Sequence, residues 1–378
     1  MVALEIIFWL VVALIVYTHV GYPLLLLVLS RRAARSPRAR VAPAGGLPSV
    51  TLIVAAHDEE AVIKRWVESA LGLDYPRERL AIVVVCDGCT DATAERARAA
   101  GVHRVIELER GGKVAALNVA AAETYGDVLA FSDANAVFEP RSLRELVAHF
   151  SAPEVGYVCG QVRFTATEGA ANEEGLYWSY EMAVREMESE LGGITAGNGA
   201  INAIRRDAYI PLEPTRGQDI SMPFELAKRG WRSVYEPAAV VTEPMAPTID
   251  AEFERKRRMM AGAWNTLLRT SMLSPRGYRP LYAVEIYSHR LLRYLSPLLH
   301  LLALALTVVL LGEGWIYVVA LGVQLALLVM ALLGSVVSWR PLQLARYYVS
   351  MMTSIAVGLW DFLRRGVPGT WESVEGTR

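Results

Sequence analysis

The pattern of apolar and polar positions divides the chain into membrane-like ends and a soluble middle. From Ile6 to Leu29 the sequence is almost continuously apolar, long enough for a helix to cross a hydrocarbon core of about 30 Å. The arginines that follow this run are Arg31, Arg32, Arg35, Arg38 and Arg40. Because basic residues mark the cytoplasmic side of a span, we expect the N-terminus outside and the following chain in the cytoplasm. A cleaved signal peptide would carry its basic residues before the apolar run.

A second membrane region is predicted near the C-terminus. Leu295–Leu311 and Trp315–Leu333 are apolar runs joined by a Gly-Glu-Gly turn, with arginines on both outer flanks. This pattern is typical of a transmembrane hairpin. The later segment Tyr347–Phe362 is less apolar, and it either crosses as a third C-terminal span, or lies in the membrane interface or re-enters the membrane. We slightly favour a crossing.

Between these regions the chain alternates short apolar runs with helical patterns. Strands are predicted at Val50–Ala55, Leu80–Val85, Arg104–Leu108 and Val128–Phe131, and helices at Glu59–Leu71, Asp91–Ala100 and Lys113–Glu123. Such an alternation indicates an α/β fold, with a mainly parallel sheet covered by helices on both faces. The predicted regions are an N-terminal membrane helix (1–30), a basic linker (31–48), a cytoplasmic domain (49–282), a C-terminal membrane region (283–366) and a tail (367–378).

Polar side chains cluster where the predicted strands end. The clusters are Asp58 with Glu59, Asp87 with Asp91, Lys113 after two glycines, and Asp133 with Asn135. In such sheets, ligands bind beyond the carboxyl ends of the strands. Any one of these side chains could instead cap a helix, Asp91 in particular. Four polar strand ends at one edge are harder to explain by capping alone.

Composition narrows the chemistry further. Residues of the types AVILMFWYC make up 53% of the 378 residues, which excludes intrinsic disorder and favours membrane segments. The net charge of −1 leaves no global basic field for nucleic acid. The three cysteines cannot form a disulfide framework, and Cys86 and Cys89 are interpreted as packing residues. The sequence contains neither a dinucleotide-binding glycine fingerprint nor a P-loop.

A series of short motifs follows in a fixed order along the soluble region. They are Ala55–Glu60, Asp87–Asp91, Gly112–Asn118, Ser132–Asn135, the glycine-containing loop Gly197–Arg205, Gly217–Asp219 and Arg255–Met259. Together they resemble the family 2 glycosyltransferases, which have the GT-A fold. The flanking apolar segments suit the membrane-integrated branch that contains hyaluronan, chitin and cellulose synthases. The resemblance covers roughly residues 48 to 270.

The resemblance implies a glycosyltransferase whose donor is a nucleotide-diphosphate sugar, expected to be UDP-linked. The donor-binding residues that it implies are Asp58, Glu59, Asp87, Lys113, Asp133 and Arg258. Asp133 and Asn135 match the family's D-x-D, which holds a divalent metal on the diphosphate. Oxygen ligands of this kind suit Mg²⁺ or Mn²⁺.

Asp219 matches the last acid of the family's T-E-D element and is implied to be the catalytic base. A base takes the proton from the attacking hydroxyl, and direct attack inverts the anomeric configuration. The alternative is that Asp219 merely caps a helix predicted over Pro223–Arg229.

The acceptor is implied to be a glycan or a lipid, with membrane lipids as further partners. The residues implied to bind it are Gly197, Asn198, Gly199, Gln218 and Arg255. Trp178 and Tyr180 either line the acceptor path or belong to the core. The expected location is the inner or plasma membrane, with several spans and a cytoplasmic catalytic domain.

Three departures from the family pattern leave alternatives open. Asn135 replaces the second acid of D-x-D, and Gln218 replaces the middle acid of T-E-D. Arg255 and Met259 replace the glutamine and tryptophan of Q-x-x-R-W, a motif that accompanies processive polymer synthesis. A transferase of single sugars is therefore as well supported as a polymerase. The competing function is a non-catalytic nucleotide-sugar-binding subunit of a polysaccharide assembly complex.

Overall fold

A computed structural model describes residues 1–33, 46–165, 173–244, 249–367 and 369. Most of the predicted linker at 31–48 and most of the predicted tail at 367–378 lie outside the described residues, as does the side chain of Trp178.

One mixed sheet organises the described part of the domain. In chain order its strands are β1 (Val50–Ala56), β2 (Leu80–Asp87), β3 (Arg104–Leu108), β4 (Val128–Ser132), β5 (Val137–Phe138), β6 (Val155–Thr165), β7 (Ile201–Arg205) and β8 (Arg232–Pro244). They lie side by side in the order β3-β2-β1-β4-β7-β6-β8-β5. The first four are mutually parallel, β7 runs antiparallel to β4 and β6, and β6 is parallel to β8. The predicted α/β fold with a mainly parallel sheet is confirmed.

The helices pack around this sheet and extend from it. In chain order they are α1 (Val2–Val16), α2 (Tyr22–Ala33), α3 (Ile63–Leu71), α4 (Thr93–Ala99), α5 (Lys113–Glu123), α6 (Ser142–Ala148), α7 (Glu173–Leu191), α8 (Gln218–Lys228), α9 (Ile249–Arg269), α10 (Pro280–Glu285), α11 (Leu292–Val309), α12 (Trp315–Leu333) and α13 (Arg340–Arg365). Short π-helical segments, Tyr17–Gly21 and Ile286–Leu291, join α1 to α2 and α10 to α11. Helix α3 begins four residues later than predicted, because a turn precedes Ile63.

The core lies on both faces of the sheet. Alternate residues of β1 point to opposite sides, so Leu52 packs in the same cluster as Trp66, whereas Ile53 packs with Leu117. Every residue of β1 is buried. This two-sided burial explains why the strand is a continuous apolar run and not an alternating one.

Three helices in the described part of the chain are long and apolar enough to cross a membrane. They are Val2–Arg32, Pro280–Val309 and Trp315–Leu333, which gives one span before the domain and a hairpin after it. Helix α13, which contains the predicted segment Tyr347–Phe362, is not among them. Whether this segment crosses the membrane, lies in its interface or re-enters it stays a prediction.

Contacts with the domain explain the position of α13. The Arg257 guanidinium of α9 binds the Asp361 carboxylate of α13, with one N–O distance of 3.0 Å. The Trp264 indole N–H donates to the Ile355 carbonyl at 3.1 Å. Gly358 allows the two helices to approach closely, because a Cβ there would lie 2.7 Å from Cβ of Met260. The hairpin thus returns the chain to the side on which the domain lies.

Candidate active site

Predicted site residues from three separate motifs meet beside one loop. Lys113, at the start of α5, forms an ion pair with Asp133, which follows β4. Gly199, in the loop before β7, lies against both. A Cβ built on Gly199 would be 3.1 Å from the Lys113 ammonium and 3.2 Å from a carboxylate oxygen of Asp133. Because glycine has no side chain, Gly199 leaves the Lys113–Asp133 pair accessible to a ligand.

Asp219 joins this group from the first turn of α8. The backbone N–H of Gly197 donates to the Asp219 carbonyl at 2.8 Å, which ties the glycine loop to the helix. The helix begins at Gln218, earlier than the predicted Pro223, and its N-cap is Gly217. Asp219 is therefore not the N-cap residue but lies inside the first turn of the helix. A carboxylate in the first turn also interacts favourably with the helix dipole.

The charges of these groups act on one another. Burial raises the pKa of Asp219, while the Lys113 ammonium acts in the opposite direction. Burial also opposes the charge of Lys113, but Asp133, Asp219 and Glu243 outweigh it and raise the pKa of the ammonium. One lysine thus interacts with three carboxylates. We call Lys113, Asp133, Asp219 and Glu243 the cleft cluster.

Glu243, near the end of β8, is the member that sequence reasoning missed. Burial and the neighbouring Asp133 raise its pKa to about 8. Its buried Oε1 has no hydrogen-bond partner among the described residues. The available signal was an acid directly after the apolar stretch of β8, the same criterion that selected the other strand ends.

Asp87 lies at the same edge, but its carboxylate already has partners. It is 1% exposed and accepts hydrogen bonds from the backbone N–H groups of Gly111 and Gly112, at 2.6 and 3.0 Å. The Arg110 guanidinium binds it at 3.0 Å. Asp87 therefore holds the glycine turn that precedes Lys113, and direct contact with a nucleotide base stays a prediction.

The loops after β1 and β2 are bound to each other. The Asp58 carboxylate accepts from the Thr90 N–H at 2.7 Å, which lowers the pKa of Asp58. Glu59 is buried, and its N–H donates to the Thr93 hydroxyl at 2.8 Å. Asp91 accepts from the Thr93 N–H at 2.9 Å, but the N-cap residue of α4 is Ala92, so Asp91 lies one residue before the predicted capping position.

The cysteines of this region pack as the sequence suggested. Cys86 is buried, and the Cys89 thiol donates to the Ala56 carbonyl at 3.3 Å. Ligand atoms of Asp58, Cys89 and Asp91 lie within 4.8 Å of one another, close enough to hold an ion. Both carboxylates are bonded to the loop backbone, and this accounts for their proximity.

Contacts within the protein account for two residues of the predicted acceptor loop, Asn198 and Gly197. The Asn198 side chain donates to the Gly160 carbonyl at 2.7 Å and accepts from the Ile201 N–H at 2.9 Å, so it fixes the loop to the sheet. A Cβ on Gly197 would collide with the hydroxyl of Tyr157, which explains the glycine. The buried Nε2 of Gln218 has no hydrogen-bond partner among the described residues.

Arg255 and Arg258 lie one turn apart on α9. Arg255 binds Glu252 through two N–O contacts of 2.7 and 2.8 Å, and its charge also acts on Glu243. Arg255 is therefore the residue of α9 that reaches towards the cleft cluster. Arg258 is exposed, and its predicted role in donor binding stays a prediction.

The residues present fit a divalent cation. Asp133 and Glu243 offer carboxylate oxygens and Asn135 offers an amide oxygen, the hard ligands that Mg²⁺ and Mn²⁺ take. The unpartnered Oε1 of Glu243 is a buried acceptor that such an ion would satisfy. Glu243 would also replace the negative charge that Asn135 removes from D-x-D.

Comparison with known proteins adds independent information on the family. The family described as "Glycosyltransferase like family 2" matches residues 48–262, which is more than half of the chain. The matched region contains the whole cleft cluster and the acceptor loop.

Curated relatives align with about two thirds of the chain. A beta-monoglucosyldiacylglycerol synthase of Synechocystis sp. is 29% identical over 272 residues, which cover 66% of this chain and 55% of that protein. A poly-beta-1,6-N-acetyl-D-glucosamine synthase of Staphylococcus aureus is 23% identical over 248 residues, which cover 62% of this chain and 60% of that protein. The chain thus matches little more than half the length of these curated relatives.

A solved structure agrees with the fold over almost the whole chain. The mannosyltransferase of Pyrobaculum calidifontis, solved in complex with GDP-Man and Mn²⁺, superimposes with a TM-score of 0.71 at 21% identity. The likeness covers 94% of this chain and 99% of that one. It confirms the predicted GT-A architecture. With the family match, it follows that this protein belongs to the family 2 glycosyltransferases.

Proposed function

We propose that the protein is an inverting glycosyltransferase that uses a nucleotide-diphosphate sugar, UDP-linked, as donor. The acceptor is a hydroxyl of a glycan or a lipid at the cytoplasmic face of a membrane. The observation that supports this most directly is the Lys113–Asp133 ion pair beside the side-chain-free Gly199, with Asp219 close enough for its charge to act on Lys113. These groups supply the base and the charges that sugar transfer requires.

Asp219 acts as the general base. Its carboxylate takes the proton of the acceptor hydroxyl while the hydroxyl oxygen bonds to the anomeric carbon of the donor. The bond from that carbon to the diphosphate oxygen breaks, and the nucleoside diphosphate leaves with the electron pair. Because attack and departure occur on opposite sides, an α-linked donor gives a β-linked product. Burial raises the pKa of Asp219, which makes the carboxylate a stronger base than an exposed aspartate.

The other members of the cleft cluster, together with Asn135, bind the diphosphate. Asp133, Asn135 and Glu243 would hold Mg²⁺ or Mn²⁺, which when bound neutralises charge on the leaving diphosphate. Lys113 provides a compact positive charge at the same place. Asp87 contributes by holding the glycine turn from which Lys113 projects.

The relatives support a membrane acceptor, since one makes a glycolipid and another a polysaccharide. The basic run after the first predicted span supports a cytoplasmic domain. A non-catalytic binding subunit is disfavoured by the retention of Asp219 in a buried cleft together with Lys113 and Asp133.

The test is the release of nucleoside diphosphate from a panel of nucleotide sugars, with Mg²⁺ or Mn²⁺ and membrane extract as the acceptor source. We expect turnover of at least one donor, and a loss of roughly 10²–10⁴-fold in kcat for Asp219→Asn. The matched control is Asp207→Asn, which changes an exposed aspartate outside the cleft and should keep wild-type kcat.

Two results would contradict the proposal. If a donor binds but none turns over, the non-catalytic subunit is the correct function. If Asp219→Asn retains wild-type kcat, the base lies elsewhere. The anomeric configuration of the product, read by NMR coupling constants, tests inversion separately.

A further inference from the structure

A cavity of about 370 Å³ lies between the membrane helices and the catalytic domain. This volume falls in the range of small-molecule binding pockets. Its walls come from both sides of the molecule: His19 and Tyr22 belong to the first predicted span, His289 and Arg293 to the second, and Val184 to α7 of the domain.

The cavity occurs where both spans depart from regular α-helix. The π-helical segments Tyr17–Gly21 and Ile286–Leu291 contact each other here, with the Tyr17 hydroxyl 2.8 Å from the Ser288 hydroxyl. A π-helical turn is costly and is found mostly at functional sites. Two such turns facing each other at one cavity indicate that its shape serves a purpose.

Most of the cavity wall is hydrocarbon. Val184, Leu344, Met351 and Met352 line it, and methionine adapts readily to flexible apolar ligands. Leu344 and Tyr180 are 38% and 36% exposed, so the cavity opens to the surface at that edge. Since predicted membrane spans form part of the wall, the surroundings at this level include lipid.

The charged groups at the inner end neutralise one another. The Glu188 carboxylate lies 2.6 Å from Nδ1 of His289, and Glu181 binds Arg293 and lies 3.3 Å from Nε2 of His289. We call Glu181, Glu188, His289, Arg290 and Arg293 the membrane-side cluster. His289 and Arg293, which line the cavity, each already contact a carboxylate behind the wall, so the cavity offers polar contacts without a strong field for an anion. An uncharged headgroup suits it better than a phosphate.

The same cluster reaches the active site through one loop. Glu188 accepts a hydrogen bond from the Thr195 hydroxyl at 3.1 Å, and Arg290 donates to that hydroxyl at 2.9 Å. Two residues later, Gly197 donates to the carbonyl of the catalytic Asp219. The inner end of the cavity is thus tied to the backbone of Asp219 by hydrogen bonds of the Thr195–Gly197 segment.

We propose that this cavity is the acceptor site, and that the acceptor is an uncharged membrane lipid with a free hydroxyl. The lipid enters from the bilayer side, its chains lie against the apolar wall, and its hydroxyl end points along the Thr195–Gly197 loop. This inference rests on the proposed function and adds the class of acceptor to it.

The experiment uses the full chain in phosphatidylcholine nanodiscs with a diazirine analogue of dioleoylglycerol. We expect photolabelling on α7 and α13 peptides, competed by unmodified dioleoylglycerol. Met351→Trp and Val184→Phe, which fill the cavity from two different helices, should each lower labelling by about tenfold. Thr353→Trp, an equally large change on the exposed face of α13, should not. Thermal unfolding and UDP binding check that each variant folds.

Every outcome decides the point. Labelling elsewhere, or labelling unchanged by both filling variants, overturns the proposal. Stronger labelling by a diazirine analogue of a polyprenyl phosphate than by the dioleoylglycerol analogue overturns the uncharged headgroup. A labelled cavity in a protein that turns over no donor leaves the lipid site standing and removes the proposed function. If the protein turns over a donor with a soluble glycan acceptor but the cavity is not labelled, the proposed function stands and the lipid site is excluded.

Discussion

The cleft cluster and the membrane-side cluster are both groups of buried charges, but they differ in how completely they are paired. In the membrane-side cluster, Glu188 accepts from Tyr22, His289 and Thr195, so both of its oxygens are satisfied. In the cleft cluster, one oxygen of Glu243 has no partner among the described residues. Paired charges hold elements together, whereas underpaired carboxylates in a cleft are ready for a ligand.

The largest expected effect is on the paired side. Glu188→Ala leaves His289 and Thr195 without their acceptor and should lower the free energy of unfolding by about 3–5 kcal/mol. Thermal unfolding in detergent measures the change, with Glu213→Ala at an exposed glutamate as the control. A loss below about 1 kcal/mol would mean that the cluster is not a structural tie.

On the underpaired side, the expected effect is on ligand affinity. Glu243→Gln removes a carboxylate from the proposed metal site and should weaken Mn²⁺ binding in the presence of UDP by about 10–100-fold. Electron paramagnetic resonance of free Mn²⁺ reads the affinity without any need for turnover. Glu213→Gln is the matched control, and equal affinities in the two variants would exclude Glu243 as a ligand.

The pH dependence of activity reports the ionisation of Asp219 in the cleft cluster. Because burial raises the pKa of Asp219 and the base must be ionised, the acid limb of kcat/KM should lie above the ordinary aspartate value of about 3.9. A raised folded-state pKa also means that stability falls as the pH rises through the window between the unfolded and folded values. Asp219→Asn should remove that fall and leave stability at neutral pH equal or higher. An acid limb at the ordinary value would contradict the assignment.

The smallest effect is expected where a pair is partly open to solvent. Arg257→Ala breaks the contact with Asp361 between α9 and α13 and should cost about 1 kcal/mol or less. Thermal unfolding is again the measurement. A loss of stability as large as that of Glu188→Ala would show that exposure to solvent does not weaken the Arg257–Asp361 pair relative to the buried pairs of the membrane-side cluster.

The donor half of the fold could be predicted because its signals are local. The strand Arg104–Leu108 and the helix Lys113–Glu123 were predicted with the bounds that the structure has, since glycines lie just outside each element, at Gly101, Gly111–Gly112 and Gly126. Parallel strands also place their carboxyl ends at one edge of the sheet. The sequence therefore predicted that Lys113 and Asp133, which follow two of these strands, lie close together.

The other half depends on pairing between distant residues, which no local pattern reports. Glu188 meets His289 across 101 positions, and Arg257 meets Asp361 across 104. The insertion of β7 between β4 and β6 likewise follows from packing, not from the sequence near β7. Glu243 was missed because the groups that act on it, Asp133, Arg255 and Lys113, come from distant parts of the sequence, although its own strand end carried the signal.

The attachment of the domain at both ends of its sequence has a consequence for substrate choice. Helix α2 packs on α7 through Tyr22 and Val184, and α13 packs on both α9 and the predicted span α12, so the domain is fastened on two sides. A body held in this way cannot swing outward on a linker. Asp219 is therefore held at a fixed position relative to the predicted spans, and if it is the base proposed above, acceptor hydroxyl groups would be selected by their depth in the membrane as well as by their chemistry.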